Sequence, residues 1–88
     1  MFMKTITWKN RARKQLKKIP KNYRVKILDS VSRLKDFPAC DDLNIINLTN
    51  HKYGYRLRIA RYRVFFDDKE TLKIIEIQEV KKRDDRTY

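Results

Sequence analysis

The segment YRLRIARYRVFF, residues 55–66, reads as two strands of alternating character. Tyr55, Leu57 and Ile59 alternate with Arg56 and Arg58, the two-residue period of a half-buried strand. After a tight connection the alternation resumes, with Tyr62, Val64 and Phe66 opposite Arg61, Arg63 and Phe65. Asp67-Asp68-Lys69-Glu70 reads as a polar turn, and Leu72 to Val80, rich in isoleucine, as a third strand. Sequential strands this close favour an antiparallel meander. One face of it is apolar, and the other presents Arg56, Arg58 and Arg63.

Upstream, Lys4 to Trp8 alternates as a short strand, with Ile6 and Trp8 on its inner side. Lys9 to Lys18 carries Ala12, Leu16 and Ile19 at helical spacing, with Asn10 as its expected N-cap and Pro20 as its stop. A second helix is expected from Asn22 to about Asp36, with Tyr23, Ile27, Leu28, Val31 and Leu34 as its apolar stripe and Pro38 beyond its end. Ala39 to Asn50 shows no period and reads as a connection along an edge. The expected fold is α+β, one domain over residues 1–88. It has a small antiparallel sheet of about four strands, with two N-terminal helices packed on one face.

Composition narrows the function. The chain has 88 residues, 41% of them hydrophobic, which supports one modest core. No apolar run approaches the ~20 residues that span a bilayer. The N-terminus MFMKTITWKN shows no signal-like apolar stretch. A single cysteine, Cys40, fits a reducing cytoplasm. One cysteine and one histidine do not supply a structural zinc site. One glycine excludes a glycine-rich phosphate loop.

The net charge is +12, and it is unevenly spread. Bases crowd residues 9–35 and 51–63, while residues 36–50 contain acids and no base. Such an excess points to a polyanionic partner, nucleic acid or an acidic protein segment. Three arginines on one sheet face repel one another unless an anion joins them. A guanidinium fork matches phosphate oxygens in two-point contact. The competing readings are a solvated basic face, or ion pairs to third-strand acids such as Glu76. After that strand come Lys81, Lys82, Arg83, Arg86 and Tyr88, either a frayed tail or an extension of the basic face. His51 reads as a loop histidine at a strand entrance rather than a general base, Cys40 as a part-buried small residue, and Trp8 as core.

The hairpin of residues 55–66, the following strand, and the terminal KRDDRTY of residues 82–88 together resemble the RelE/ParE toxin superfamily. Its pattern is an arginine-rich YRLRvGdYRVif hairpin, a third strand and a terminal kR…Y. The upstream strand, a lysine-rich helix ending at Lys18-Ile19-Pro20, and a second helix ending Leu34-Lys-Asp-Phe-Pro38 fit as well. The likeness therefore spans nearly the whole chain. RelE-like members are mRNA endonucleases acting inside the translating ribosome, without metal or cofactor. ParE-like members inhibit DNA gyrase and lack nuclease residues. The RelE-like resemblance implies that Arg63 contacts the scissile phosphate and that Arg83 stabilises developing charge. It implies that Tyr88 stacks on a nucleotide or transfers a proton. Arg56 and Arg58, with Lys81, Lys82 and Arg86, would bind RNA. Arg56 and Arg58 stand where RelE has two lysines. Arginine does not release its proton, so a base falls to Tyr88, Lys82, Asp84 or Asp85. An acidic antitoxin, ribosomal RNA and mRNA are the implied partners, with a free monomer in the cytoplasm. A gyrase-inhibiting protein and an inactive RNA- or antitoxin-binding relative remain the rivals.

Overall fold

In a computed structural model, described for residues 3–83, the chain runs β1 (Thr5–Trp8), α1 (Asn10–Lys17), α2 (Lys21–Ser32), β2 (Asn44–Asn47), β3 (Tyr55–Ile59), β4 (Tyr62–Lys69) and β5 (Ile74–Lys82). A short 3₁₀ turn, Arg33–Asp36, extends α2, and another, Glu70–Leu72, links β4 to β5. The architecture is the expected α+β type, with the meander β3–β4–β5 antiparallel throughout. The sheet has five strands in the order β1-β5-β4-β3-β2, and it is mixed. β1 lies parallel to β5, with Thr5 opposite Ile74 and Trp8 opposite Ile77. Its partner is the last strand in the chain, so adjacency in sequence could not set its direction. The helices carry the chain away from it instead.

The core is the layer between helices and sheet. Ala12 and Leu16 of α1 and Ile27 and Val31 of α2, followed by Leu34, bury against Leu57, Val64, Phe66, Ile75 and Ile77. Leu28, expected in the stripe, is exposed, because the buried positions follow i, i+4, i+7 from Ile27 and Leu28 falls beside that row. Neither helix has the expected cap. Lys9 and Pro20 occupy the N-cap positions without side-chain hydrogen bonds, and Asn10 and Asn22 lie inside the helices. Lys9 donates its backbone N–H to the Ile77 carbonyl at 2.9 Å, which fixes where α1 leaves the sheet.

Two segments read from sequence as irregular are strands. Asn44–Asn47 forms edge strand β2 against β3, with Ile45 packed on the core and Ile46 exposed. Asp67 and Asp68 extend β4 instead of turning. Asp67 accepts hydrogen bonds from the Gly54 N–H (2.7 Å) and from Gln78 (3.0 Å). Both oxygens of Asp68 accept from Lys4 Nζ at 2.9 Å. The turn comes later, where Lys73 takes a left-handed φ of 55°.

A β-bulge faces Phe65/Phe66, and it sets what each face of β5 presents. Phe65 pairs with Glu79 but Phe66 pairs with Ile77, so Gln78 is the extra residue. Before it, Ile75 and Ile77 face the helices; after it, Val80 does, paired with Val64. The Val80 N–H donates to Gln15 Oε1 of α1 at 2.7 Å.

Two stability measurements follow. Ala60, at the β3–β4 connection, has φ 53° and stands where the superfamily hairpin carries glycine. Ala60→Gly should raise stability by about 1 kcal/mol in urea unfolding, by removing left-handed strain. The Lys4 and Asp68 side chains are only 5% and 12% exposed. Lys4→Met leaves that carboxylate without its cation and should cost about 3 kcal/mol, most of it recovered in Lys4→Met/Asp68→Leu.

Candidate nucleic-acid interface

Strand register assembles the basic face. Arg58 on β3 lies opposite Arg63 on β4, and Arg63 lies opposite Lys81 on β5. Three cations thus form one row across three strands. The next row reads Arg56, Phe65, Glu79. Like charges directly opposite each other oppose pairing, so the fold holds this row against its own repulsion.

The arginines are half-buried and unneutralised. Among the described residues none of Arg56, Arg58 and Arg63 joins an ion pair. Glu76, the acid that sequence offered as their partner, lies 3.5 Å from Lys9 and accepts a hydrogen bond from Gln78 at 2.8 Å. The Nε atoms of Arg56 and Arg63 are buried with no hydrogen-bond partner among the described residues. Buried donors are rarely left this way, and each costs about 1–3 kcal/mol until an acceptor arrives. The Arg63 guanidinium carbon lies 6.0 Å from the Phe65 ring centroid.

Glu79 is the one carboxylate in these two rows, and it is 8% exposed. Its Oε1 accepts the Tyr53 hydroxyl at 3.0 Å, and Lys81 and Arg11 approach at 3.6 Å and 3.9 Å. Burial pushes the Glu79 carboxyl up, but the Tyr53 hydrogen bond, Lys81, Gln15 and Arg11 outweigh it and hold it below the usual range. Burial pushes the Tyr53 phenol up, the Glu79 bond and charge add to that, and Arg11 opposes. Glu79 therefore remains an acceptor and Tyr53 a donor around neutral pH.

Above Phe65 sits His51. The two rings are nearly parallel, 8° apart, with centroids 5.4 Å apart. Tyr53 leans on both, 5.7 Å from Phe65 and 5.8 Å from His51. Beyond Tyr53 a groove of ≈ 430 Å³ continues between Lys52 and the N-terminus of α1, lined also by Lys9, Asn10, Arg11 and Gln78.

A family model described as the ParE toxin of type II toxin–antitoxin systems, parDE, matches residues 6–86. The chain belongs to the RelE/ParE toxin superfamily. It is thereby a toxin of the type II toxin–antitoxin kind. Its fold is that of RelE in a RelE–RelB complex from the archaeon Pyrococcus horikoshii, with TM-score 0.81 and 23% identity, covering 96% of this chain and 99% of that one. The isolated RelE toxin of E. coli superposes with TM-score 0.78 at 15% identity, over 96% of this chain and 87% of that one. A RelB–RelE complex from Methanococcus jannaschii gives 0.71 at 18% identity, over 86% and 88%. No curated protein sequence shows significant similarity.

In this toxin Arg56, Arg58 and Arg63 share the open face, as the alternation indicated, and Lys81, read from sequence as the start of a tail, joins them because β5 runs on to Lys82. Lys82 does not join them, because it pairs with Tyr62, whose ring packs on the helix side. Arg83 follows directly on β5, exposed, its N–H bonded to the Arg61 carbonyl at 2.6 Å beside the hairpin. Asp84, Asp85, Arg86 and Tyr88 lie outside the described residues. His51 occupies the loop before β3, as expected, but sequence gave no sign that it would lie on Phe65. Glu79 was also missed. Its signal was the broken spacing of Ile75, Ile77 and Val80, which marks the bulge. Cys40 is buried, and burial raises its thiol against the pull of Arg33, which disfavours the thiolate.

Because the folded state holds Glu79 below its unfolded value, its ionisation stabilises the fold above the unfolded carboxyl range, and that contribution fades as pH falls through the folded value. Glu79→Gln should be less stable than the parent near neutrality. The gap should narrow as pH falls below the unfolded carboxyl range, about pH 4, and close once Glu79 is protonated in the folded state, as read by urea unfolding across the acid range.

Proposed function

We propose that this toxin is a ribosome-dependent mRNA endonuclease that cleaves A-site codons. The observation that carries the reading is the pair of half-buried arginines, Arg56 and Arg63, whose Nε donors lack acceptors among the described residues, set in and beside a cationic row on an open sheet face. RNA brings its own nucleophile. The 2′-hydroxyl oxygen bonds to the adjacent phosphorus, the bond from phosphorus to the 5′-oxygen breaks, and a cyclic phosphate is left. Arg63 and Arg56 hold the phosphate, and Arg83 meets the charge that develops on it. The 2′-hydroxyl proton goes to Asp84 or Asp85, and Tyr88 protonates the leaving 5′-oxygen; these three lie outside the described residues. Arg58 and Lys81 extend the charged row along the RNA, with Arg86 of the tail. No metal or cofactor enters this scheme.

The net charge of +12 and the bases of α1 and α2 support docking to ribosomal RNA. The same surface suits an acidic antitoxin, and the solved RelE–RelB complexes of similar fold support that partner. The free toxin is read as a cytoplasmic monomer; among the described residues no helix is long and apolar enough to cross a membrane. The description of the matching family as ParE favours a second reading, a gyrase inhibitor without nuclease activity.

Primer extension on translating ribosomes separates the two. Wild type should cut within the A-site codon and leave naked mRNA largely intact. Arg63→Ala or Arg83→Ala should lower cleavage ~10²–10³-fold. Arg83→Ala removes an exposed charge and should leave stability within about 1 kcal/mol. Arg63→Ala removes a repelled charge and an unsatisfied donor and should not lower stability. Intact mRNA with stalled gyrase would establish the ParE-like reading instead.

A further inference from the structure

His51 lies outside the cleavage scheme, yet its setting is built. The imidazole is exposed, while the Phe65 ring beneath it is 6% exposed and reaches no ligand by itself. Phe65 holds His51 flat above the row that contains Arg56 and Glu79. The loop is anchored at three points. Tyr53 N–H donates to His51 Nδ1 at 3.0 Å, the Tyr53 hydroxyl donates to Glu79, and Gly54 N–H donates to Asp67 at 2.7 Å. A Cβ at Gly54 would stand 3.2 Å from that Asp67 oxygen, so a larger residue would make the carboxylate shift. An exposed side chain with this much support has its outer face pre-positioned.

We propose that the outer face of His51, backed by Phe65, is a stacking platform for one nucleobase of a single-stranded RNA whose phosphate lies on Arg56 and Arg63. The proposal rests on the RNA-directed reading above and assigns the subsite that takes the base. Aromatic rings beside a basic track are how proteins hold single strands, because every base has a π-face. The Nε donors of Arg56 and Arg63, without acceptors among the described residues, place the phosphate contact beside the ring. The groove lined by Lys9, Arg11 and Lys52 lets the backbone continue past Tyr53. Proton transfer fits His51 less well. With Nδ1 accepting from Tyr53, the neutral ring carries its proton on Nε2, and no lone pair is left facing the RNA. Nε2–H is instead a donor to the edge of a neighbouring base or to a phosphate.

The test reads binding without cleavage, so it stands or falls apart from the endonuclease assay. His51 is the only histidine, and its ring C–H resonances are therefore unambiguous in NMR spectra of the free toxin. The probes are a 2′-O-methyl adenylate trimer, which cannot be cleaved, and an abasic trimer of equal charge. The adenylate trimer should move both His51 ring resonances upfield, and the abasic trimer should not. His51→Ala should weaken adenylate binding roughly 10-fold, and His51→Phe should keep it within about twofold of wild type. Unmoved His51 resonances at saturation, no binding at millimolar trimer, or His51→Phe as weak as His51→Ala would each overturn the platform. Loss of ribosomal cleavage with the upfield shift intact would overturn the endonuclease reading alone.

Discussion

The extra residue in β5 governs the geometry of both faces of this toxin. A regular strand alternates strictly, so Ile75 and Ile77 facing the helices would bring Glu79 and Lys81 into the core and turn Val80 outward. Gln78 breaks that phase. Val80 completes the core against Val64, and Glu79 and Lys81 reach the open face beside Phe65 and Arg63. Past Trp8 opposite Ile77, β5 has no strand on its β1 side, and Gln15 of α1 receives the Val80 N–H there. The helix is thereby pinned to the edge of β5 just past the end of β1, which carries Arg11 to within reach of Glu79. One irregular step thus joins core packing, helix placement and the charged face.

What that face holds is an imbalance. Arg58, Arg63 and Lys81 stand in a row, and Glu79 answers only at its end, through Lys81 and Arg11. Among the described residues, the acids of β4 and the start of β5 are committed elsewhere. Asp68 is taken by Lys4, Asp67 by Gly54 and Gln78, and Glu76 by Lys9 and Gln78. These same bonds hold β1, the loop before β3 and the end of β4 in place. The fold therefore uses these carboxylates for architecture, and among the described residues none reaches Arg56, Arg58 or Arg63.

How much of this was readable from sequence depended on how far apart the partners lie. The limits of β3 match the alternation of Tyr55 to Ile59, because one strand facing a core on one side carries its pattern locally. The apolar positions of α2 were readable for the same reason, apart from Leu28. Edge strand β2 has one buried side and four residues, too few for a period to show against its asparagines. Asp67 and Asp68 have turn chemistry, and only their partners, the nearest eleven residues away, make them strand. The direction of β1 and the contact of His51 with Phe65 are likewise long-range facts. The arginine face was visible as a pattern, but that Arg56 and Arg63 lack partners among the described residues depends on where the acids of β4 and β5 went.

An empty face of this kind couples folding to binding. Like charges in register and unpartnered buried donors raise the free energy of the folded chain, and any polyanion that satisfies them lowers it. Binding to the folded state alone then adds stability in proportion to the logarithm of ligand excess over its dissociation constant. An acidic antitoxin and an RNA phosphate would draw on the same unsatisfied charge, so each would weaken the hold of the other without any change of shape. On the proposed RNA-directed reading, masking the row silences the toxin, and the stability gained by the masked complex is the same quantity that opposes its release.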